Sequence, residues 1–200
     1  VTYAVITPRT KAVKPVRRRP DTGYIERLYR EIVELSRRYG VLRRLGLSKS
    51  PEGKAVWGEL KLKRCKLYRY LKDFSNKLAS ELVEAARLAN AKIVIDYFPD
   101  DIRRELLEER LPRGLAKIYM LYIPRLVKLI ESQAKWYGIP VEFRRIPSTI
   151  CPVCENRLER EEDRMMKCSN CKFEADRDTI PLYWALKQTE IQRETKAGAY

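Results

Sequence analysis

The chain has 200 residues, 44% of them hydrophobic, which is enough for a sizeable core and excludes disorder as the default state. Lys and Arg number 42 against 27 Asp and Glu, a net charge of +15 that favours polyanionic partners, above all DNA or RNA. No apolar run approaches the ~20 residues of a membrane helix and no apolar targeting segment is seen near the start, so a cytoplasmic protein without a membrane partner is expected.

Residues 1–6, "VTYAVI", alternate and are β-branched, predicting a strand that is already under way at Val1. The expectation from this start is a piece of a longer protein. Residues 14–18 read as a second, partnered strand ended by Pro20. Asp21 or Thr22 then caps a helix with Ile25, Leu28, Ile32, Leu35, Tyr39 and Leu42 at helical spacing. Its other face carries Arg27, Arg30, Arg37, Arg38, Arg43 and Arg44.

"LSKSPEG" (47–53) reads as a loop, followed by a long helix over about 60–89. Leu67, Leu71, Phe74, Leu78, Leu82 and Ala86 form its apolar stripe. Lys61, Lys63, Arg64, Lys66 and Arg69 crowd its first half, with Lys72 beyond them and Tyr68 and Tyr70 interleaved. A charge run is commonly a solvated face. Two successive basic helices with interleaved aromatics point instead to a nucleic-acid surface.

"AKIVIDYF" (91–98) predicts a buried, parallel strand that ends in Asp96. Residues 99–114 are polar and hinge-like, and 115–137 are helical with Pro124 inside, where a kink or a new helix start is expected. Gly138 stops that helix, 140–146 form a strand, and a last helix spans about 178–190 before a frayed tail, 195–200. Strands separated by helices, with one early antiparallel pair, define an α/β sheet.

Cys151, Cys154, Cys168 and Cys171 make two C-x-x-C turns separated by thirteen residues. Two such turns present four thiolates to one zinc, whereas disulfides do not suit a cytosolic setting. With four cysteine ligands the zinc has no open position, so it is structural. The stretch between the turns offers little strand-forming content beyond a small hairpin. Cys65 is expected to be a partly buried free thiol. Asp96 at a strand end and Asp178 at the start of the last helix can, as a pair, hold Mg²⁺ or Mn²⁺. Asp176 reads as a turn residue. Arg177 reads as a phosphate contact or a neighbour's ion-pair partner.

"GIPVEFRRIPSTICPVC" followed by "KCSNCKFEADRD" resembles the carboxyl-terminal part of the TnpB/OrfB proteins of insertion sequences, relatives of the type V CRISPR nucleases. "AKIVIDYF" is similar to the family strand I-V-x-E-x-L, with Asp96 in the Glu position, and "ESQAKWYGIPV" (131–141) to the helix and turn that follow. The final Asp of A-D-R-D maps onto Asp178. The resemblance is strong over about 91–178 and looser before. It implies an RNase H-like fold of the RuvC type: a mixed sheet with flanking helices and an inserted zinc ribbon. The parts would be 1–147, a ribbon at 148–174, and a closing segment at 175–200. It further implies metal-dependent DNA cleavage guided by RNA, with Asp96 and Asp178 as catalytic ligands. The family's first catalytic Asp precedes a segment like "VTYAVI", and the part of the family that grips guide RNA also has no counterpart here. The chain alone is therefore expected not to cut. Thr179, Ile180 and Pro181 stand where the family carries small residues and an Asn. These departures keep open a non-catalytic DNA- or RNA-binding zinc-ribbon protein of the same fold.

Overall fold

Helix α1 (Thr22–Arg44) starts where Asp21 leaves the helical conformation and its carboxylate accepts the Tyr24 N–H at 2.9 Å. The Asp21 N–H in turn donates to the Tyr70 hydroxyl at 2.6 Å. Asp21→Ala is expected to cost about 1 kcal/mol, the usual value of an N-cap, read as a lower denaturant midpoint. An unchanged midpoint would refute the cap's role. Ile25, Leu28 and Leu42 are buried, while all six arginines of the opposite face are exposed.

The structure is a computed structural model and describes residues 1–7, 10–96 and 113–197. Among these are four α-helices and seven short strands in three small sheets. Strands β1 (Thr2–Tyr3) and β2 (Val16–Arg17) pair antiparallel, Thr2 opposite Arg17 and Tyr3 opposite Val16. The expected six-residue strand is thus cut to two. The next partner would be Pro15, which has no N–H to extend the ladder.

Residues 47–53 are not a loop. A 3-10 turn (Leu47–Lys49) leads directly into α2 (Pro51–Leu88), a helix starting nine residues earlier than the apolar pattern predicts. Ser50 explains the start, since its hydroxyl accepts the Gly53 N–H at 3.1 Å, and Pro51 occupies the first helical position, where no N–H is required. Gly53 is needed here: a Cβ would lie 2.3 Å from the Leu47 carbonyl oxygen.

Helices α2 and α3 (Arg113–Trp136) end alike, and this sets up the parallel strands. Asn90 and Gly138 adopt positive φ, 47° and 67°. Ala91 N–H bonds the Ala86 carbonyl and Ile139 N–H bonds the Ala134 carbonyl, both at 2.9 Å. Asn90 and Gly138 donate to Arg87 and Lys135, each at 3.1 Å. This is the same two-bond helix stop twice. Three residues after each stop a strand begins, so β3 (Ile93–Asp96) and β4 (Val141–Arg144) pair parallel with Ile93 opposite Val141 and Asp96 opposite Arg144. The parallel expectation holds, but the burial does not: Val94 is 37% exposed, and Asp96 is also exposed. α3 runs through Pro124 as one helix, so no new helix starts there.

Strands β5 (Glu159–Arg160), β6 (Met165–Lys167) and β7 (Glu174–Asp176) form an antiparallel sheet in the order β5-β6-β7. The cysteine module therefore holds more strand than its composition promised. Helix α4 (Ile180–Ala197) begins two residues after Asp178, because residues 176–179 are closed by their own turn. α4 takes in 195–197 of the expected tail. Residues 198–200, and 99–112 of the expected hinge, lie outside the described residues.

The chain forms two compact units. One comprises Val1–Arg18, Leu82–Pro99 and Gln133–Tyr200; the other comprises Arg19–Glu81 and Asp100–Ser132. The first holds all three sheets. The second is helical, with Ile25, Leu28 and Leu67 at one centre of its core.

Candidate metal centre and nucleic-acid interface

The two cysteine turns have the same backbone. Glu155 N–H bonds the Cys151 carbonyl at 2.9 Å, and Lys172 N–H bonds the Cys168 carbonyl at 3.1 Å. Cys151 and Cys168 each donate their own N–H to the residue five further on, Asn156 and Phe173, both at 2.8 Å. Glu155 and Lys172 sit in the left-handed region, φ 63° and 62°, a conformation non-glycine residues adopt when their surroundings impose it. Sequence reasoning missed this duplication, although the equal offsets from the cysteines carry it.

These turns bring the four sulfurs to within 4.8 Å of one another. Cys151 and Cys171 Sγ atoms are 3.5 Å apart and those of Cys154 and Cys168 are 3.4 Å apart. A tetrahedron with Zn–S bonds of about 2.3 Å has edges of about 3.8 Å, so the donor set fits zinc closely. The backbone N–H of Asn156, aimed at Cys154, leads the influences that bring that thiol down to about 6. At Cys171 the Phe173 N–H pulls the same way. Burial and hydrogen bonds with the other thiols nevertheless push Cys171 up to about 12. Four such thiols in contact do not all ionise without a cation between them, and a metal such as zinc supplies that charge.

The centre is fused to α4. Cys151, Leu158, Met166, Cys168, Ala175 and Ile180 form one buried cluster, with Phe173, Tyr183 and Trp184 packed against it. Trp184 Nε1 donates to the Ile150 carbonyl at 3.0 Å, Lys187 pairs with Glu155 at 2.8 Å, and Phe173 meets Tyr183 edge-on.

Past β7 the Asp-Arg-Asp run is held on every side. Asp176 Oδ1 accepts the Asp178 N–H at 2.8 Å, and Asp176 Oδ2 pairs with Arg17 at 2.9 Å. Thr179 Oγ1 donates to the Asp176 carbonyl at 2.7 Å. Although burial opposes it, the Asp178 N–H and Arg17 hold the Asp176 carboxyl below its ordinary value. Arg164 completes the clasp, its carbonyl accepting the Arg177 N–H and its guanidinium pairing with Asp178 at 2.7 Å. Asp176, expected as a turn residue, is the last residue of β7, opens the 176–179 turn with its carbonyl and carboxylate, and is a strut to β2 besides.

Asp96 ends β3, where its Oδ1 accepts the Ile146 N–H at 3.0 Å. Burial pushes its carboxyl up; the Ile146 N–H and Arg145 oppose that. Asp96 and Asp178 lie by different sheets, each engaged by its own partner. Among the described residues, the cysteine quartet is the group of three or more ligating side chains, and neither aspartate belongs to one.

The basic candidates divide. Lys63 is taken by Glu31 at 2.6 Å, which makes it a poor phosphate contact. Tyr70 serves structure, accepting from Asp21 and packing edge-on against Tyr24. Lys61, lying over the Trp57 ring, and Arg64, Lys66 and Arg69 are exposed. Tyr68 is 57% exposed. Arg177 is exposed and borders, with Arg157 and Arg160, a cavity of about 270 Å³ beside β5 and β6. Cys65 is exposed rather than partly buried. No helix among the described residues is long and apolar enough to cross a membrane.

Four cysteines on paired turns, held by a three-stranded sheet and a following helix, define a zinc-ribbon-type module within a mixed α/β protein. A family model described as "Cas12f1-like, TNB domain" matches residues 124–180, from the middle of α3 to the start of α4. A TnpB-like protein of Methanocaldococcus jannaschii is 27% identical over 124 residues, covering 61% of this chain and 44% of that protein. Over these residues the chain is similar to TnpB-like and Cas12f1-like proteins. The match spans less than half the length of that relative.

Proposed function

We propose that the chain is the nuclease-type part of a TnpB-like protein, binding nucleic acid through its basic helices and its metal-held ribbon. In this reading the fold is RNase H-like of the RuvC type, with parts at 1–147, 148–174 and 175–200. Asp96 and Asp178 are ligands for Mg²⁺ or Mn²⁺, and RNA guides the cleavage of DNA. Lys61, Arg64, Lys66, Arg69 and Arg177 contact phosphates, with Lys63 reserved by Glu31.

One observation carries most of this reading. The family match at 124–180 encloses the cysteine quartet and Asp178 together, on a ribbon whose core continues into α4. The parallel β3–β4 pair supports it further, since Asp96 ends its strand at the carboxyl edge, where ligands of α/β sheets gather. Bound divalent metal would activate water and stabilise the leaving oxygen. The chain's own contribution is to fix the two carboxylates: Ile146 N–H orients Asp96, and the closed 176–179 turn orients Asp178.

A second reading, a non-catalytic nucleic-acid-binding protein, is favoured by the Arg164–Asp178 pair, which occupies a carboxylate that a metal would need. Arg164 is 56% exposed, so displacing it costs little.

The test is cleavage of single- and double-stranded DNA with Mg²⁺ or Mn²⁺, by this chain and by a form extended into the coding sequence upstream of Val1. Cutting that disappears in Asp96→Ala and in Asp178→Ala supports the nuclease. Binding without cutting in both forms establishes the second reading instead.

A further inference from the structure

Within the helical unit, a cavity of about 460 Å³ opens among α1, α2 and α3. Pockets for small ligands run to roughly 300–1,000 Å³. Ile32, Leu67 and Leu71 give it apolar walls. Three phenol rings, Tyr29, Tyr68 and Tyr122, and three cations, Arg64, Lys72 and Arg125, complete most of the lining, and no carboxylate lines it among the described residues.

Packing alone does not account for this set. Tyr122 is only 6% exposed, and its hydroxyl has no hydrogen-bond partner among the described residues. The buried Nε of Arg125 has none either. Buried polar groups are as a rule hydrogen-bonded, and both of these donors belong to side chains that line the cavity. Burial pushes the ionisation of Tyr122 up, which keeps it a donor. Ser75 does not compete for an incoming group, because its hydroxyl is bonded to the Leu71 carbonyl at 2.7 Å. Arg125 already frames the opening: it donates to the Tyr68 hydroxyl at 3.1 Å, and its guanidinium lies 5.7 Å from the centroid of that ring.

We infer that this cavity takes one unpaired nucleotide of a single-stranded nucleic acid, with its base among Tyr29, Tyr68 and Tyr122 and its phosphate toward Arg64, Lys72 and Arg125. The inference rests on the nucleic-acid reading above and goes beyond it by naming a base-holding site. A base supplies both a flat ring for the phenols and edge acceptors for the orphan donors. Three cations exceed what one apolar ring requires, and they suit an attached phosphate. A strand fits better than a free nucleotide, because exposed Lys61, Lys66 and Arg69 extend the positive charge along α2 beyond the cavity.

The experiment compares a short single-stranded oligonucleotide with a fully abasic strand of the same length and charge, by anisotropy at fixed salt, in DNA and RNA versions. The wild-type chain should bind the base-bearing strand about tenfold more tightly than the abasic one, the scale of one stacked base. Millimolar mononucleotide should compete weakly. In Tyr68→Ala, at the exposed rim, and in Arg125→Gln, the base-bearing strand should lose most of that advantage. Trp136→Ala, which removes an 85% exposed aromatic outside the cavity, should keep it. Equal, salt-dependent binding of both strands would overturn the cavity site and leave the nucleic-acid reading standing. Binding of neither strand would overturn both. Loss of the advantage in Trp136→Ala but not in Tyr68→Ala would overturn the site as well.

Discussion

Stripping the metal from the cysteine quartet is expected to unfold the ribbon from about residue 149 to 176 and to loosen the start of α4. The buried cluster there has only six members, two of them ligands, and a sheet this small does not hold itself together. Structural zinc contributes on the order of 10–16 kcal/mol in comparable small modules, far more than any other contact in the ribbon. The loss should reach α4 because Ile180 belongs to the same cluster and Trp184 is bonded to Ile150. Asp178, seven residues beyond Cys171, would lose its fixed position in the same event. The measurement is limited proteolysis with tryptophan emission, before and after chelation, with the metal content assayed as one ion per chain. New cleavage sites within the ribbon and a red-shifted emission are the expected results. An unchanged proteolytic pattern in demonstrably metal-free protein would sink the idea. Cys168→Ser should reproduce the chelated state, because Cys168 is fully buried within the quartet.

Charge reversal at Arg64, Lys66 and Arg69 is expected to weaken nucleic-acid binding strongly and to flatten its salt dependence. Each phosphate contact releases about 0.7–0.9 of a counterion, so losing three contacts should reduce the slope of log affinity against log salt by about 2–3. None of the three forms an ion pair among the described residues, and only Lys66 acts on a carboxylate, Glu31, through space, so the loss of stability should be small beside the loss of binding. Lys63→Glu is the informative contrast. It places a carboxylate against Glu31, and its first effect should be on the stability of the α1–α2 contact. Equal affinity of the triple variant and the wild type at matched salt would show this helix face to be solvated surface.

Much of the site was legible in the sequence because its spacing is local. Two C-x-x-C turns can do little but gather thiolates, and the structure brings all four together. Asp21, the α1 stripe and the Gly138 stop were readable for the same reason: each is decided within a few residues of chain. Other features depended on partners distant in sequence. Lys63 looked like a phosphate contact until Glu31, from the preceding helix, was found beside it. Asp178 looked free to take a metal, yet Arg164, fourteen residues earlier, holds it. The 3-10 turn and early start of α2 were hidden because polar residues at 47–53 resemble a loop, while the Ser50 hydroxyl and Pro51 satisfy a helix start.

By itself the sequence determined a basic α/β chain with a four-cysteine module suited to a metal, properties carried by composition and short spacing. The tertiary structure decided which charges are already paired, how the ribbon core merges with α4, and where a cavity with two unpartnered donors lies. Those features depend on side chains brought together from distant parts of the chain, such as Arg17 with Asp176, Glu31 with Lys63, and Tyr29 and Tyr122 lining one cavity, and local pattern carries no record of such meetings.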